Sequence, residues 1–380
     1  MDAFSSNFKL GILGGGQLGR MLIQSAIDFN IYIKILDGDA NAPCRPFAHE
    51  FVHGSLMDYD TVYAFGKTVN VLTIEIEHVN VEALEQLERE GVNVYPQPAV
   101  IRTIQDKRVQ KQFYKNNLIP TADFVLVENQ DEVHQHVHFL PAFQKLGKSG
   151  YDGRGVQRLK TKADLAKAFT EPSLLEKAVD FEKEISIIVA RNVHGEVSVF
   201  PPVELVFHPE YHLVEYLFAP AQLSGQIIAQ ANEIATGVAT KLGIVGLLAV
   251  EMFVTHTGEV LVNESAPRPH NSGHHTIKAN YTSQFEQHLR AILGLPLGNT
   301  DTQSYAAMVN LLGEEGHTGE VVYQGMEEAL ALGGVYIHLY GKKTTKPYRK
   351  MGHITIMDAE LQTLKEKVQK VKDFVKVISA

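Results

Sequence analysis

The chain has 380 residues, more than a single hydrophobic core usually supports, so two or three domains are expected. Its modest net charge of −9 and its lack of a long Lys/Arg block argue against nucleic acid as a partner. A single cysteine, Cys44, excludes an intrachain disulfide, and no apolar stretch is long enough to suggest a signal peptide or a membrane span, so we expect a cytoplasmic protein.

The first hundred residues alternate between short apolar runs and amphipathic stretches. The apolar runs predict strands, and the stretches between them predict helices. The predicted strands cover 9–13, 31–36, 71–75 and 92–95, and the predicted helices cover 17–29, 59–67 and 81–91. This alternation is typical of a parallel sheet with helices on its faces.

The pattern changes after Pro96 and Pro98, which punctuate the end of this unit. A polar helix is predicted at 106–117, and strands joined by glycine-rich turns follow it. Those strands are predicted at 139–145, 155–160, 173–177 and 184–191. Further elements are a helix at 224–242, a hairpin at 247–264, and helices at 284–293 and 360–375.

A glycine-rich loop, Gly14-Gly-Gly-Gln-Leu-Gly19, joins the first strand to the first helix. It matches G-x-G-x-x-G, and Asp37 ends the second strand about twenty residues later, as a dinucleotide fingerprint requires. The physical content is more general, because glycines and a helix N-terminus favour any anion close to the backbone. Three interpretations therefore stay open: a nicotinamide cofactor, another anion, or a tight turn without ligand.

Two glutamates are predicted to face each other in the hairpin at 247–264. A turn centred on Thr257-Gly258 pairs residues whose numbers sum to 515, which places Glu251 opposite Glu264. Two bare carboxylates among apolar neighbours repel each other, and a divalent cation removes that conflict. The pattern favours a magnesium site; the alternatives are a register shifted by one residue or a neighbouring arginine.

Two further segments are rich in polar and basic side chains. Between two predicted strands, residues 145–155 carry four glycines, two lysines and an arginine, which suits a loop that closes over a polyphosphate, although a solvated hairpin is the alternative. The segment 264–275 begins at the second glutamate and is held extended by two prolines. A late basic cluster at 342–353 is either a solvated face or a phosphate site.

Taken together, these motifs resemble the 5-(carboxyamino)imidazole ribonucleotide synthase family of ATP-grasp enzymes over nearly the whole chain. The motifs, in order, are GGGQLGRM at 14–21, EIE at 75–77, QDK at 105–107, GYDGRG at 150–155, APRPHNSGH at 266–274, SQFEQHLRA at 283–291 and RKMGH at 349–353. The chain departs from the family at Val156, where glutamine is common, and at His275, where an aromatic residue is frequent.

The resemblance implies a multidomain α/β and α+β fold. It implies a Rossmann-like domain over 1–104 that binds no dinucleotide, a two-lobed ATP-grasp domain over 105–298 with a small lid lobe at 105–180, and a small β-rich C-terminal domain over 299–380. It also implies a homodimer that uses ATP, bicarbonate and 5-aminoimidazole ribonucleotide, with Mg²⁺ or Mn²⁺.

The same resemblance implies roles for individual residues. Those for ATP are Lys107, Lys145, Gly150, Gly153, Gly155, Glu176, Lys177 and Glu184. The metal ligands are Glu251 and Glu264, and the catalytic residues are Tyr151, Asp152, Arg268 and His274. The residues facing the ribonucleotide or bicarbonate are Gln17, Glu75, Asn271, Lys342, Arg349 and Lys350.

The implied reaction is phosphoryl transfer followed by carboxyl transfer. Bicarbonate attacks the γ-phosphorus of ATP, and the exocyclic amine of the ribonucleotide then takes up the carboxyl group. Such chemistry needs positioning and charge neutralisation more than covalent help. The principal alternative is another ATP-grasp ligase of purine synthesis, such as formate-dependent glycinamide ribonucleotide transformylase; a nicotinamide oxidoreductase and a non-catalytic nucleotide-binding regulator are weaker ones.

Overall fold

The N-terminal part of the chain is a five-stranded parallel sheet flanked by helices. The structure, a computed structural model, describes residues 2–148, 155–207 and 214–380. The strands, ordered β3-β2-β1-β4-β5, are β1 (Lys9–Leu13), β2 (Tyr32–Asp37), β3 (Glu50–His53), β4 (Val71–Ile74) and β5 (Asn93–Val94). The helices are α1 (Gln17–Asp28), α2 (Tyr59–Gly66), α3 (Val81–Arg89), α4 (Pro98–Gln105) and α5 (Lys107–Asn116). The predicted doubly flanked parallel sheet is thus confirmed.

Local chemistry explains where these helices begin. The side chains of Asp58, Asn80 and Asp106 each accept a hydrogen bond from a backbone N–H in the first turn of α2, α3 and α5. Such caps satisfy donors that the helix leaves unpaired. Pro98 stands in the first turn of α4, where its missing N–H costs nothing. The sequence prediction took this proline as punctuation only and therefore missed α4.

A four-stranded antiparallel sheet follows, ordered β6-β9-β7-β8. Its elements are β6 (Phe124–Val127), α6 (Gln130–Gln135), a 3₁₀ turn (Val137–Phe139), β7 (Ala142–Leu146), β8 (Val156–Leu159), a 3₁₀ segment (Lys162–Lys167) and β9 (Ser173–Lys177). Its small core is formed by apolar side chains such as Val127, Ala142, Leu159 and Leu175. This sheet, the lid sheet, lies within 105–180, where the resemblance implies a lid lobe, and that role stays a prediction.

The largest sheet has nine strands among the described residues. Eight follow the order β15-β14-β10-β12-β13-β16-β20-β18, and β11 pairs with β10. The strands are β10 (Phe181–Arg191), β11 (Val197–Val199), β12 (Val203–Phe207), β13 (Val214–Ala219), β14 (Gly246–Thr255), β15 (Val260–Ala266), β16 (Tyr305–Leu312), β18 (Val335–Leu339) and β20 (Lys350–Asp358). The sheet continues across residue 298, and the domain limits proposed from the sequence remain predictions.

Helices and a small sheet complete the C-terminal half. They are α7 (Gly225–Leu242), a 3₁₀ turn (Asn271–Gly273), α8 (Thr276–Ala279), α9 (Gln284–Leu293), α10 (Met326–Leu330) and α11 (Leu361–Phe374), with a sheet of β17 (Gly319–Gln324), β19 (Thr344–Thr345) and β21 (Lys376–Ser379). Within the described ranges, no helix is long and apolar enough to cross a membrane.

Contacts between the parts are extensive. The apolar face of α9 packs into the N-terminal core through Phe285, Leu289 and Ile292, and Tyr340 joins the same cluster. The Thr73 hydroxyl lies 2.9 Å from Nε2 of His288 in a buried contact between β4 and α9. The N-terminal domain is therefore packed directly against the rest of the molecule.

Candidate active site

A row of acidic side chains lies on one face of the large sheet. Glu251 on β14 pairs with Glu264 on β15, as predicted, and Ser186 on β10 pairs with Glu251. Directly opposed residues share a face, and so do residues two apart on a strand, so Glu184 belongs to the same row. The sheet therefore presents three carboxylates to one side.

The hairpin differs from the prediction in its turn. The ladder closes at Thr255 and Glu259, and the loop between them has three residues, with Gly258 at φ +82°. The pairs near the loop sum to 514, and the register shifts between Glu251 and Met252, which leaves Asn263 as an extra residue. Such a β-bulge restores the predicted Glu251–Glu264 pairing.

The carboxyls of this row have unusual pKa values. Burial, reinforced by the charges of Glu264 and Glu184, raises the pKa of Glu251 well above its ordinary value. Burial and the charge of Glu264 raise the pKa of Glu184 to about 7. Lys107 has the opposite effect on Glu264, since its ammonium lowers the pKa of that carboxyl to about 2. Negative charge is thus in excess at Glu251 and compensated at Glu264.

The site is lined on its other side by lysines. Lys107, at the start of α5, forms an ion pair with Glu264, and its backbone N–H donates to the carbonyl oxygen of Gly147 at 2.7 Å. Lys145 on β7 donates to Glu176 Oε1 and to Asn263 Oδ1, both at 2.9 Å. These lysines therefore bring α5 and the lid sheet onto the acidic face of the large sheet.

Other residues that the resemblance implies for ATP lie further from the acidic row. Glu176 is buried, and its carboxylate lies between Lys145 and Lys111. The Lys177 side chain is exposed, and its backbone N–H donates to the Asp123 carbonyl at 2.9 Å. Gly155 has φ +69°, and its carbonyl accepts from the Leu146 N–H. Gly150, Tyr151, Asp152 and Gly153 lie outside the described residues, and their roles stay predictions.

The N-terminal glycine loop is capped by carboxylates of the protein itself. The N–H of Gly15 donates to Asp37 at 2.6 Å, and the N–H of Gly16 donates to Glu75 at 2.5 Å. Burial raises the pKa of Glu75 to about 7, although the Gly16 N–H opposes the shift. The donors that a pyrophosphate would need are already used, and its charge would meet two acidic side chains. This arrangement disfavours the nicotinamide interpretation.

Arg268 joins this loop to the large sheet. Its Nε lies 2.8 Å from Glu77 Oε1, and its charge also lowers the pKa of Glu75. In the same segment, Nε2 of His270 lies 3.7 Å from Oε1 of Glu251. Asn271 exchanges hydrogen bonds with the Asn310 side chain, at 2.9 and 3.1 Å. Gln17 begins α1 at the mouth of the glycine loop.

His274 is part of a buried stack of imidazole rings. Its ring centroid lies 4.8 Å from that of His353, and His353 stacks on His338 at 4.5 Å. Burial, followed by the charge of His270, lowers the pKa of His274 well below its ordinary value. His274 is therefore a neutral imidazole at physiological pH.

The basic residues of the late cluster at 342–353 do not all lie at the site. Lys350 is close enough to the acidic row for its charge to lower the pKa of Glu251. Lys342 donates to the Lys350 carbonyl at 2.7 Å, next to it. Arg349 instead donates to the backbone and side chain of Thr344 at 2.8 and 3.1 Å in an exposed contact. Lys350 and Lys342 therefore border the site, and Arg349 is engaged with its own loop.

Sequence reasoning missed three residues of this constellation. Lys111 follows Lys107 by one helical turn, and that i,i+4 spacing is the signal that would have indicated a shared face. Glu77 was part of a recognised motif but was given no role. Asn263 enters the site because of the bulge. A bulge of one residue leaves no pattern that a single sequence reveals.

The donor set suits a magnesium ion. Magnesium prefers carboxylate oxygens together with substrate phosphates, and Glu251 and Glu264 offer opposed carboxylates beside lysines suited to phosphate. A divalent cation bound there would stabilise the ionised form of Glu251, whose pKa burial raises.

Comparisons with known proteins agree with this architecture. Residues 8–105 match the ribonucleotide synthetase preATP-grasp domain, residues 112–285 the ATP-grasp domain, and residues 306–367 the phosphoribosylaminoimidazole carboxylase C-terminal domain. The N5-carboxyaminoimidazole ribonucleotide synthase of Bacillus subtilis is 38% identical over 355 residues, which are 92% of this chain and 91% of that protein. The chloroplastic phosphoribosylaminoimidazole carboxylase of Vigna aconitifolia is 39% identical over 93% of this chain, which spans only 65% of that longer relative.

Solved structures are similar over the same extent. The Thermotoga maritima N5-carboxyaminoimidazole ribonucleotide synthetase has a TM-score of 0.91 and 43% identity, covering 98% of this chain and 100% of that one. The Aspergillus clavatus N5-carboxyaminoimidazole synthase, in complex with ADP and 5-aminoimidazole ribonucleotide, has a TM-score of 0.88 and 33% identity, covering 97% of this chain and 98% of that one.

The fold and the site thus define an ATP-grasp ligase. Within that class, the chain belongs to the N5-carboxyaminoimidazole ribonucleotide synthase family.

Proposed function

We propose that the protein carboxylates 5-aminoimidazole ribonucleotide to 5-(carboxyamino)imidazole ribonucleotide, using ATP and bicarbonate and releasing ADP and phosphate. The observation that carries this proposal is the paired Glu251 and Glu264, faced by Lys107 and Lys145 from α5 and the lid lobe. A site rich in cations and carboxylates is suited to phosphoryl transfer. The complex of the Aspergillus relative with ADP and the ribonucleotide supports the same acceptor.

The nucleotide is held between the lid lobe and the large sheet. Lys107 and Lys145 neutralise its phosphates, and Glu184 accepts from its ribose hydroxyls. The segment at Glu176 and Lys177 passes beside the adenine. Gly150, Gly153 and Gly155 belong to the loop that covers the phosphates and excludes water.

Glu251 and Glu264 would hold magnesium, or manganese, through their carboxylates. When bound, this ion supplies neutralising charge for the phosphate oxygens. Lys107 remains beside Glu264 and contributes a second positive charge.

In the first step, an oxygen of bicarbonate attacks the γ-phosphorus of ATP and the bond to the ADP oxygen breaks, giving carboxyphosphate. In the second step, the exocyclic nitrogen of the ribonucleotide bonds to the carboxyl carbon, either directly or after release of carbon dioxide in the closed site. Phosphate leaves, and the amine loses a proton. Arg268 and Lys350 stabilise the anionic groups, and neutral His274 and Tyr151 orient the reactants.

The ribonucleotide lies between the N-terminal glycine loop and the C-terminal strands. Gln17 and Glu75 face its ribose from the loop, and Asn271 contributes amide hydrogen bonds. Lys342, Arg349 and Lys350 supply positive charge toward its phosphate, and Lys342 and Lys350 are the nearer of the three to the acidic row.

Asp152 orients the attacking amine in this proposal. Asp152→Asn is expected to lose activity while MgATP binding, measured by calorimetry, stays intact. Unchanged turnover in this variant would remove Asp152 from the mechanism.

The decisive experiment is ADP formation from MgATP and bicarbonate, with and without 5-aminoimidazole ribonucleotide. Strong stimulation by the ribonucleotide, with the labile carbamate product trapped, is the expected result. A protein that binds ATP but shows no stimulation acts on a different acceptor or is not catalytic. Replacing bicarbonate by formate, with glycinamide ribonucleotide as acceptor, tests the transformylase alternative, which the comparisons do not favour.

We further propose that the protein is a cytoplasmic homodimer. Its single cysteine fits a reducing compartment, although one relative is named as chloroplastic. Light scattering on the purified chain tests the dimer, and fractionation of the source cells tests the location.

A further inference from the structure

Lys111 is a buried cation that the proposed mechanism does not use. It lies on α5, one turn after Lys107, and its side chain is 3% exposed. Its ammonium lies 2.5 Å from Oε2 of Glu176, 2.6 Å from the Thr121 hydroxyl oxygen and 3.3 Å from the Val262 carbonyl oxygen. The contacts with Thr121 and Val262 are hydrogen bonds, and the contact with Glu176 is an ion pair. Lys111 is therefore fully engaged with the protein.

Lys145 approaches the other oxygen of the same carboxylate. Its ammonium lies 2.9 Å from Oε1 of Glu176 and 2.9 Å from Oδ1 of Asn263. Its side chain is 12% exposed, and it lies beside the acidic row at Asn263. Of the two lysines on Glu176, Lys145 is the one that is able to turn toward a ligand.

Glu176 needs a partner in either arrangement. Its side chain is 3% exposed, and burial of an unpaired carboxylate is costly. Burial alone would raise the pKa of Glu176, but the charges of Lys145 and Lys111 together hold it below its ordinary value. Suppose that Lys145 turned to a phosphate group and that Glu176 had no other cation nearby. The favourable free energy of the new phosphate contact would then be offset by the cost of a buried carboxylate without a counter-ion.

We propose that Lys111 is a positioning residue: it is the fixed counter-ion of Glu176, which frees the Lys145 ammonium to move from Glu176 to the polyphosphate of the nucleotide. The inference rests on the proposed function only in that Lys145 meets ATP phosphates. It does not depend on which acceptor is carboxylated. In the absence of nucleotide, Glu176 and Asn263 hold Lys145 in place for that transfer.

Lys111→Met removes the charge while keeping a side chain of similar length. In this variant Glu176 has only Lys145 as counter-ion, so Lys145 is retained by it. We expect the Kd for MgATP, and the KM for ATP, to rise about 30-fold or more, since removing one partner of a buried charge pair has effects of at least this order. The kcat at saturating ATP is expected to change much less. Lys115→Met is the matched control, because Lys115 is an exposed residue one turn further along α5.

The double variant Lys111→Met/Glu176→Gln separates this role from a merely structural one. With Glu176 neutral, no carboxylate retains Lys145, so the MgATP affinity of the double variant is expected to lie within a few-fold of that of Glu176→Gln alone. Because this variant leaves no unpaired buried carboxylate, it keeps the test decisive even if Lys111→Met fails to fold.

Calorimetric titration with MgATP, combined with thermal unfolding of each variant, distinguishes the outcomes. Parent-like affinity in folded Lys111→Met overturns the inference and leaves the proposed function standing. A folded double variant that binds MgATP far more weakly than Glu176→Gln alone also overturns it. A double variant that binds MgATP as tightly as Glu176→Gln alone supports it whether or not the parent carboxylates 5-aminoimidazole ribonucleotide. A parent that binds no MgATP overturns both.

Discussion

Glu251 and Glu264 face each other across adjacent antiparallel strands, and their surroundings shift the pKa values of the two carboxyls in opposite directions. The difference arises because Lys107 pairs with Glu264, whereas burial and two neighbouring carboxylates act on Glu251. The ionised form of Glu251 is therefore disfavoured, whereas the carboxylate of Glu264 is half of an ion pair.

Replacing each glutamate by glutamine should affect stability differently at the two positions but should abolish turnover at both. Glu251→Gln removes a disfavoured charge, so the metal-free protein should be as stable as the parent or more stable. Glu264→Gln leaves Lys107 without its partner, and a loss of about 1 kcal/mol is expected for this pair at the edge of an open cleft. Urea unfolding without metal measures the difference. Both variants should lose MgATP-dependent turnover; full activity in either would exclude that residue as a metal ligand.

Gly16→Ala should disturb the N-terminal glycine loop. An added Cβ would lie 2.4 Å from Glu75 Oε1, so the carboxylate must move away from the Gly16 N–H. Crowding of this kind typically costs about 1–3 kcal/mol. We expect weaker binding of 5-aminoimidazole ribonucleotide with MgATP affinity retained, measured by separate titrations.

Gly237→Ala is the matched control for the loop variant. Gly237 lies within α7, and nothing would lie within 4 Å of an added Cβ. Replacing an interior helical glycine by alanine should stabilise the protein by about 0.5–1 kcal/mol. Equal effects of the two substitutions on ribonucleotide binding would contradict the role assigned to the loop.

Buried histidines should make the protein sensitive to acid. Burial lowers the pKa of His288 to about 3 in the folded protein, whereas the unfolded chain takes up a proton near pH 6.5. The unfolded state therefore binds more protons between these values, and stability falls as pH decreases, by about 1.4 kcal/mol per pH unit for each such group.

His288→Gln should reduce this slope by the contribution of one group. Glutamine can still hydrogen-bond the Thr73 hydroxyl but takes up no proton. Urea unfolding at pH values between 5 and 7 measures the slope, with His134→Gln, at an exposed position, as the comparison. An unaltered slope for His288→Gln would mean that His288 opens to solvent before global unfolding.

The side chain of Gln97 forms hydrogen bonds between the N-terminal domain and the loop that follows α7. Its side chain donates to the Gly243 carbonyl and accepts from the Val245 N–H, both at 2.9 Å. Gln97→Ala leaves that buried N–H unpaired, and a loss of about 1–3 kcal/mol is expected by urea unfolding. Gln369→Ala, which removes one exposed bond within α11, should cost less than about 0.5 kcal/mol.

Much of the fold could be predicted because local signals agreed with each other. The limits of β1, β9 and α9 match the structure to the residue, since apolar periodicity and flanking turns coincide there. β3 was missed because it is an edge strand, Glu50–His53, with exposed polar ends and little apolar pattern. α4 was missed because Pro98 was taken as a breaker and not as a first-turn residue.

The site was only partly accessible from the sequence. The opposition of Glu251 and Glu264 followed from counting residues, although the turn assumed for it was wrong. The pairing of Lys111 and Lys145 with Glu176 brings together three distant parts of the chain. Contacts of that kind depend on how the lid sheet sits against α5, and no local periodicity encodes them.

The bulge at Asn263 makes the number of residues in the hairpin as important as their identity. With the three-residue loop and an uninterrupted ladder, Glu251 would pair with Asn263, and Glu264 would fall opposite Val250 and point to the other face of the sheet. Losing the bulge without losing a residue would therefore keep both glutamates in the sequence and separate them by the thickness of the sheet. A chain altered in this way would still look like a member of the family by its motifs while lacking a shared site for the ion.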